Sequence, residues 1–438
     1  MHFWRSKSDG HSNKPKDNYG NFDSDEEGKG HSPTPFLKGG KHFDIQAYAS
    51  NYHRSTKILR LIFIADRFGN ANERRRRMQL EALRIAYDIA KKGNDVNVFI
   101  KIVRKIDGRL GPNYDMDENW CNSVIEGRRV MSEMLQRCAK NCEKSYTERT
   151  ICAEDARNVF NSIAVFYEDH GALTRAYAFY KKSVHFCRSD KNYSELLRRL
   201  IVVVIELGQF EASGEIAEKG MQYPNLNPIT METLRCALGL ARFKAHCYKD
   251  AAHQLLGVSK ELGNRFSKVM AAHDIATFGA LCALATFDPI EFKTSVIDNQ
   301  NFHFYLDSAL EVKELVRDFY LRRYCSCFRH LDNLREWLLA DIYFFNHYET
   351  LYNKIRNRAL IVYTEPFVAV GLQRVAVVFG TNIEAIEKQL LALINTNQIQ
   401  ADVDSINKVV HFPRHEGNGS FPQGLQSSVA EFDQYIIN

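Results

Sequence analysis

Long apolar runs are missing from this 438-residue chain. None reaches the roughly 18 residues that a membrane-crossing helix requires. An excess of one charge sign is missing too: 58 Lys and Arg face 53 Asp and Glu, leaving a net +5 over the whole length. That imbalance is too weak to imply a nucleic-acid or membrane partner. The ten cysteines are scattered between Cys121 and Cys327 and form no C-x-x-C pair. A disulfide framework would crowd them into a short secreted chain, so a reducing compartment is expected. The first twenty residues are polar and contain no apolar core segment, which argues against a secretory leader. A soluble intracellular protein is expected.

Catalytic signatures are absent as well. No H-x-H pair and no H-E-x-x-H stretch occurs, so no metal site of that kind is expected. No G-x-x-x-x-G-K-[ST] or G-x-G-x-x-G stretch supports a nucleotide cofactor. Cys325 and Cys327 point to different sides of a helix, Cys138 and Cys142 lack His or Cys partners at finger spacing, and both pairs read as buried free thiols. We therefore expect no catalytic residues, no metal, no cofactor and no enzymatic activity.

Residues 1–40 are rich in Gly, Ser, Asp, Lys and Pro and carry the acidic run "DSDEEG". They cannot bury enough apolar surface to offset chain entropy, which predicts disorder. From Phe43 to about residue 360, apolar residues recur three and four apart with breaks at Gly or Pro, as in "KKGND" and "YPNLNP". This predicts a mostly α-helical body, with an N-terminal helical region over 41–150. In "NERRRRMQLEAL", Arg74 to Arg77 read as the exposed start of a helix whose apolar side begins at Met78 and Leu80, or as an import signal. Arginines there oppose the helix dipole, and an acidic partner surface would account for them.

Residues 151–350 carry a degenerate repeat. "FNSIAVFYEDHGALTRAYAFYKKS" places Phe160, Ile163, Ala164, Tyr167, Gly171, Ala176 and Tyr180 near tetratricopeptide spacing. Small alanines let paired helices approach, and tyrosines fill the gaps. A weaker copy turns at Gly208 with Ser213 and Ala217 behind it. A third has Phe243, a turn near Cys247, then Ala252 and Leu256. One pair cannot bury its face alone, so a stacked helical solenoid is expected, with an irregular bundle as the alternative.

Residues 351–412 change pattern. "LYNKIRNRALIVYTEPF" puts Lys354, Arg356 and Arg358 on an apolar helix that Pro366 stops. A short helix from about Leu372 to Phe379 follows. "TNIE" then suggests a capping box of Thr381 and Glu384, opening a helix lined by Ile383, Ile386, Leu390, Leu393 and Ile394. Period-two alternation of Ile399, Ala401 and Val403, a polar turn "DSIN" and the strand "KVVHF" complete a winged helix. A DNA-reading winged helix needs Lys or Arg on its third helix and wing. Here Glu384, Glu387, Asp402 and Asp404 oppose Lys388 and Lys408, so nucleic acid is not the expected partner. The basic residues upstream read as a helix joining two parts of a scaffold, or as a direct partner contact.

With a helical solenoid capped by a winged helix in view, three stretches resemble the PCI-domain family and, within it, the first-subunit family of the COP-nine signalosome. They are "TFGALCALATFD" (277–288), "LYNKIRNRALIVY" (351–363) and "VAVVFGTNIEAIEKQLLALINTNQIQADVDSINKVVHF" (375–412), with a weaker match at 43–65. The resemblance implies a PCI module from about residue 270 and a scaffold role in a complex that removes a ubiquitin-like modifier from cullins. It implies partners among the other subunits through winged-helix edges, contact with cullin-RING ligases through the complex, and a place in cytoplasm and nucleus. The alternatives are a proteasome-lid subunit of the same architecture and, third, a winged-helix nucleic-acid binder. Members of the family carry a helical tail beyond the wing that joins a bundle. Here residues 413–438 hold at most one short helix at their end. The hairpin 398–412 is expected to present an open sheet edge through Ile399, Ala401, Val403, Lys408, Val409, Val410, His411 and Phe412, with Lys354, Arg356 and Arg358 as the second candidate contact.

Overall fold

The computed structural model describes residues 37–38, 42–68 and 73–413. The segments read as disordered (1–40) and as a short tail (413–438) lie almost wholly outside them. A two-residue antiparallel pair, β1 (Leu37–Lys38) with β2 (His42–Phe43), leads into four helices: α1 (Ile45–Ser50), α2 (Arg54–Phe68), α3 (Glu73–Ala90) and α4 (Val96–Ile106). The Asp44 carboxylate caps α1 by accepting from the Gln46 and Ala47 amides at 2.9 and 3.1 Å. Asp95 caps α4 in the same way. The 30-residue helix α5 (Glu118–Thr147) follows.

Three helical pairs come next: α6 (Ala153–Asp169) with α7 (Leu173–His185), α8 (Asp190–Glu206) with α9 (Phe210–Met221), and α10 (Pro228–Lys244) with α11 (Tyr248–Leu256). Each pair turns at a residue of positive φ: Gly171 at +70°, Gly208 at +75° and His246 at +61°. Gly171 has a second reason to be glycine. A Cβ there would stand 2.0 Å from an Asp95 carboxylate oxygen, so the α4 cap and the first repeat turn share one space. Phe160, Ile163, Ala164, Tyr167, Ala176 and Tyr180 are all buried, as the repeat spacing requires.

The remaining helical body is α12 (Ala272–Thr286), α13 (Pro289–Phe292), α14 (Gln300–Asp307), α15 (Leu310–Tyr320), α16 (Tyr324–Ala340) and α17 (Tyr348–Thr364). Every residue of α12 from Ala272 to Leu284 is buried, because the helix packs against α11, α14, α15 and α17 together. From Ile275 to Leu284, Thr277 is its one polar side chain, and a helix so apolar on every side is stable only in such a place. Gly279 brings it close to α14, where an added Cβ would lie 3.2 Å from the Phe302 ring.

The winged helix closes the described chain with β3 (Ala369–Gly371), α18 (Leu372–Val378), α19 (Ile383–Asn395), β4 (Asp402–Asp404) and β5 (Val409–His411). The mainly α architecture of helical repeats followed by a winged helix is the one the sequence predicts. Three details differ. The N-cap of α19 is Asn382, whose Oδ1 accepts from the Ala385 amide at 2.8 Å, not Thr381. A strand over Ala369–Gly371 appears that alternation could not show in three residues. The expected thiol burial holds for Cys142 and Cys327, whereas Cys138 and Cys325 are exposed.

Two hydrophobic cores run through the molecule. The smaller gathers Ala139 and Cys142 of α5 with the first repeat and Leu196, Leu200 and Val203 of α8. The larger joins Ile45 to Cys121 directly to Leu197 to Val410. The first four helices thus share a core with the winged helix and the helices before it, and α5 feeds both cores.

Candidate partner-binding site in the winged helix

The sheet order is β3-β5-β4, so "KVVHF" forms the middle strand. Val410 lies opposite Val370 on one side and Val403 on the other and is fully buried. The reading of Val409 or Val410 as an open edge is therefore corrected: both flanks of β5 are already paired. Its N-terminal partner β3 was hidden in the sequence. The true edges are β3 and β4, three residues each, and β4 places an Asp on either side of Val403. Short, charged edges are the ones that resist strand addition. Ile399 is buried, Ala401, Val403, Val409 and Phe412 are half-buried, and Lys408 and His411 are exposed.

The basic residues of α17 also fall differently from expectation. Arg356 Nε donates to Gln389 Oε1 at 2.8 Å, and Gln389 Nε2 donates to Asn357 Oδ1 at 2.8 Å, tying α17 to α19. Arg358 Nε donates to the Phe287 carbonyl at 3.0 Å, at the C-terminal cap of α12, where a cation also meets the negative helix end. Both arginines are half-buried and bonded within the chain through Nε, and Lys354 is exposed. The helix α17 joins winged helix to repeat body.

The wing tip is built by side chains. Asp404 Oδ1 accepts from the Ile406 and Asn407 amides, each at 3.0 Å, and Asn407 Nδ2 donates to Asp404 Oδ2 at 2.7 Å. Glu387 of α19 accepts from Ser405 Oγ and from Lys408 Nζ, the latter at 3.0 Å. These bonds hold the Glu387 carboxyl below its ordinary range, Ser405 contributing most, and the turn amides do the same for Asp404. At the tip stands Ile406, 92% exposed. The sequence reading passed over it as part of a polar turn; an isoleucine within "DSIN" was the signal.

A second feature escaped the sequence. Arg60 of α2 is fully buried, with Nη1 donating to Tyr48 OH at 2.8 Å and to Asp341. Its Nη2 donates to the Val269 carbonyl at 3.0 Å and faces Asp274 at 3.4 Å. Tyr52 OH donates to Asp274 Oδ1 at 2.7 Å, and its ring lies 3.9 Å from the guanidinium. Asp341 Oδ1 accepts from the Tyr343 and Phe344 amides at 2.8 and 2.9 Å. One arginine thus ties α1 and α2 to the start of α12 and to the turn after α16. The cation inside the apolar run "ILRLIFIA" was its only trace. Among the described residues no three His, Cys, Asp or Glu side chains come together to hold a metal.

Comparison with known proteins agrees with this architecture. The PCI-domain family model matches residues 316–414. That for the 26S proteasome subunit RPN7 matches residues 117–295. The COP9 signalosome complex subunit 1 of Arabidopsis thaliana is 42% identical over 91% of this chain and 88% of its own length. The chain belongs to the COP9 signalosome subunit 1 family. Subunit 1b of Drosophila melanogaster is 30% identical over 70% of this chain and 59% of its own. A proteasome relative, the regulatory subunit rpn7 of Schizosaccharomyces pombe, stands further off at 20% over 69% of this chain. In this subunit 1 family member, the "TFGALCALATFD" stretch is most of α12 with its C-terminal cap; α12 packs against α11, α14, α15 and α17, and Arg358 bonds the cap carbonyl.

Proposed function

We propose that the chain is a non-catalytic scaffold subunit of a COP9 signalosome complex, supporting removal of the ubiquitin-like modifier from cullins and so regulating cullin-RING ligases. The observation that carries this reading is the 42% identity to an Arabidopsis subunit 1 across nine-tenths of the chain. The architecture suits a scaffold: a repeat body, a winged helix rigidly coupled to it through Arg356 and Arg358, and an acidic third helix and wing unsuited to DNA phosphates. Its partners on this reading are other signalosome subunits, and its location is cytoplasm and nucleus. The match of the RPN7 model over residues 117–295 favours a second reading, a proteasome-lid subunit.

Affinity purification of the tagged full chain from its own cells, followed by mass spectrometry, separates the two. Signalosome subunits should co-purify; proteasome-lid subunits in their place would overturn the first reading. The purified chain alone, with or without added zinc, should leave a modified cullin intact. Release of modifier above a buffer blank would remove the non-catalytic assignment.

A further inference from the structure

We propose that the wing tip is an anchor, with Ile406 inserting into an apolar socket rimmed by Lys or Arg on a neighbouring subunit. This rests on the scaffold reading above. A single exposed isoleucine is unremarkable on a protein surface. Here it is the most exposed of the large hydrophobic side chains among the described residues, and its support is what distinguishes it. Three hydrogen bonds within the turn fix its backbone, and Glu387 clamps both flanks of the turn to α19. Lys408 adopts φ +55°, a region where glycine is the easier choice, while its ammonium holds Glu387. A knob already ordered before contact loses little conformational entropy on binding.

The surroundings point to the kind of partner. Leu391, one helical turn beyond Glu387 and so on the same face of α19, is 41% exposed. On the wing and the outer part of α19, Glu387 and Lys408 pair with each other, which leaves Glu384, Asp402 and Asp404 against Lys388. An anionic lipid surface would be repelled by that rim. A second copy of this chain would set the rim against itself. A socket edged with basic side chains complements it. The knob also follows β4 directly, so a partner seated along that side of the wing meets it without a further element.

The test co-expresses the full chain with the other signalosome subunits and measures how much of them it retains. Losing the buried apolar contact should cut retention by Ile406→Ser about tenfold, while Ile406→Val stays within about twofold and higher salt weakens the wild-type contact. Both variants should melt with the wild type, since Ile406 supports no core. Equal retention by wild type and Ile406→Ser overturns the anchor alone, as does a loss by Ile406→Val as large as that by Ile406→Ser. Self-association of the isolated wild type that Ile406→Ser abolishes would assign the socket to a second copy and overturn the proposed partner. A wild-type chain that recovers no signalosome subunit overturns the scaffold reading and the anchor with it.

Discussion

Arg60 shows how much one residue can hold. Its guanidinium serves two buried carboxylates, a tyrosine hydroxyl and a backbone carbonyl, from three separate parts of the chain. Burial pushes the Asp274 carboxyl up to about 6, with Arg60 pulling the other way. Removing the arginine leaves Asp274 and Asp341 in the core without a cation. Arg60→Met should destabilise the fold by about 3–5 kcal/mol, the usual result of breaking a buried pair from one side. Arg60→Lys should recover only part, because an ammonium cannot present a planar fork to both carboxylates. Thermal denaturation of the three proteins checks this; an unchanged midpoint in Arg60→Met would show that the cluster contributes little.

At the scale of elements, the helical pairs depend on small residues where helices cross. Ala176 on α7 is fully buried between helices, in a core with Phe160, Tyr167 and Tyr180. Ala176→Arg would overpack that space and bury an unpaired charge, costing several kcal/mol, on the order of 3 or more. The first repeat should loosen or unfold, read as a lowered melting temperature and increased amide exchange over residues 153–185. A melting temperature equal to wild type would argue against stacked pairs in this region. The contrast with Ile406→Ser, expected to leave the melt alone, separates a packing position from a surface one.

The whole molecule carries buried histidines that couple its stability to pH. His273 lies against the Trp337 ring, and burial lowers it from 6.5 to about 3. His347 sits between the α10–α11 turn and α17. Its Nδ1 shares a 3.0 Å bond with Tyr248 OH, and burial, with Lys244 and His246 nearby, lowers it to about 4. Both are neutral when folded but protonate near 6.5 when unfolded. Their contribution is therefore present in full above pH 6.5 and is lost as pH falls from there towards 4 and 3. Asp274, raised to about 6, acts in the opposite sense: the folded state takes up its proton first, which partly offsets the loss between pH 6 and 4. His273→Phe keeps the apolar packing and removes one titrating group. Its midpoint should fall less than that of wild type between pH 7 and 5. Parallel curves for the two proteins would show that His273 does not carry the linkage.

Periodicity alone determined much of this protein. Apolar spacing and Gly breaks suffice for the helical body, the repeat turns at Gly171 and Gly208, and the order of helices and hairpin at the C-terminus, because these depend on neighbours within a few residues. What lay beyond the sequence was pairing between distant segments. "KVVHF" carries no mark of being a middle strand, since its second partner is a three-residue strand forty residues earlier. Arg356 and Arg358 look identical to solvated bases until Gln389 and the Phe287 carbonyl are brought to them. Arg60 finds Asp274 and Asp341 only across more than two hundred residues. Local patterns set which elements form, because their hydrogen bonds close over three or four residues; which polar groups meet, and which side chains remain free for a partner, is decided only when the elements pack.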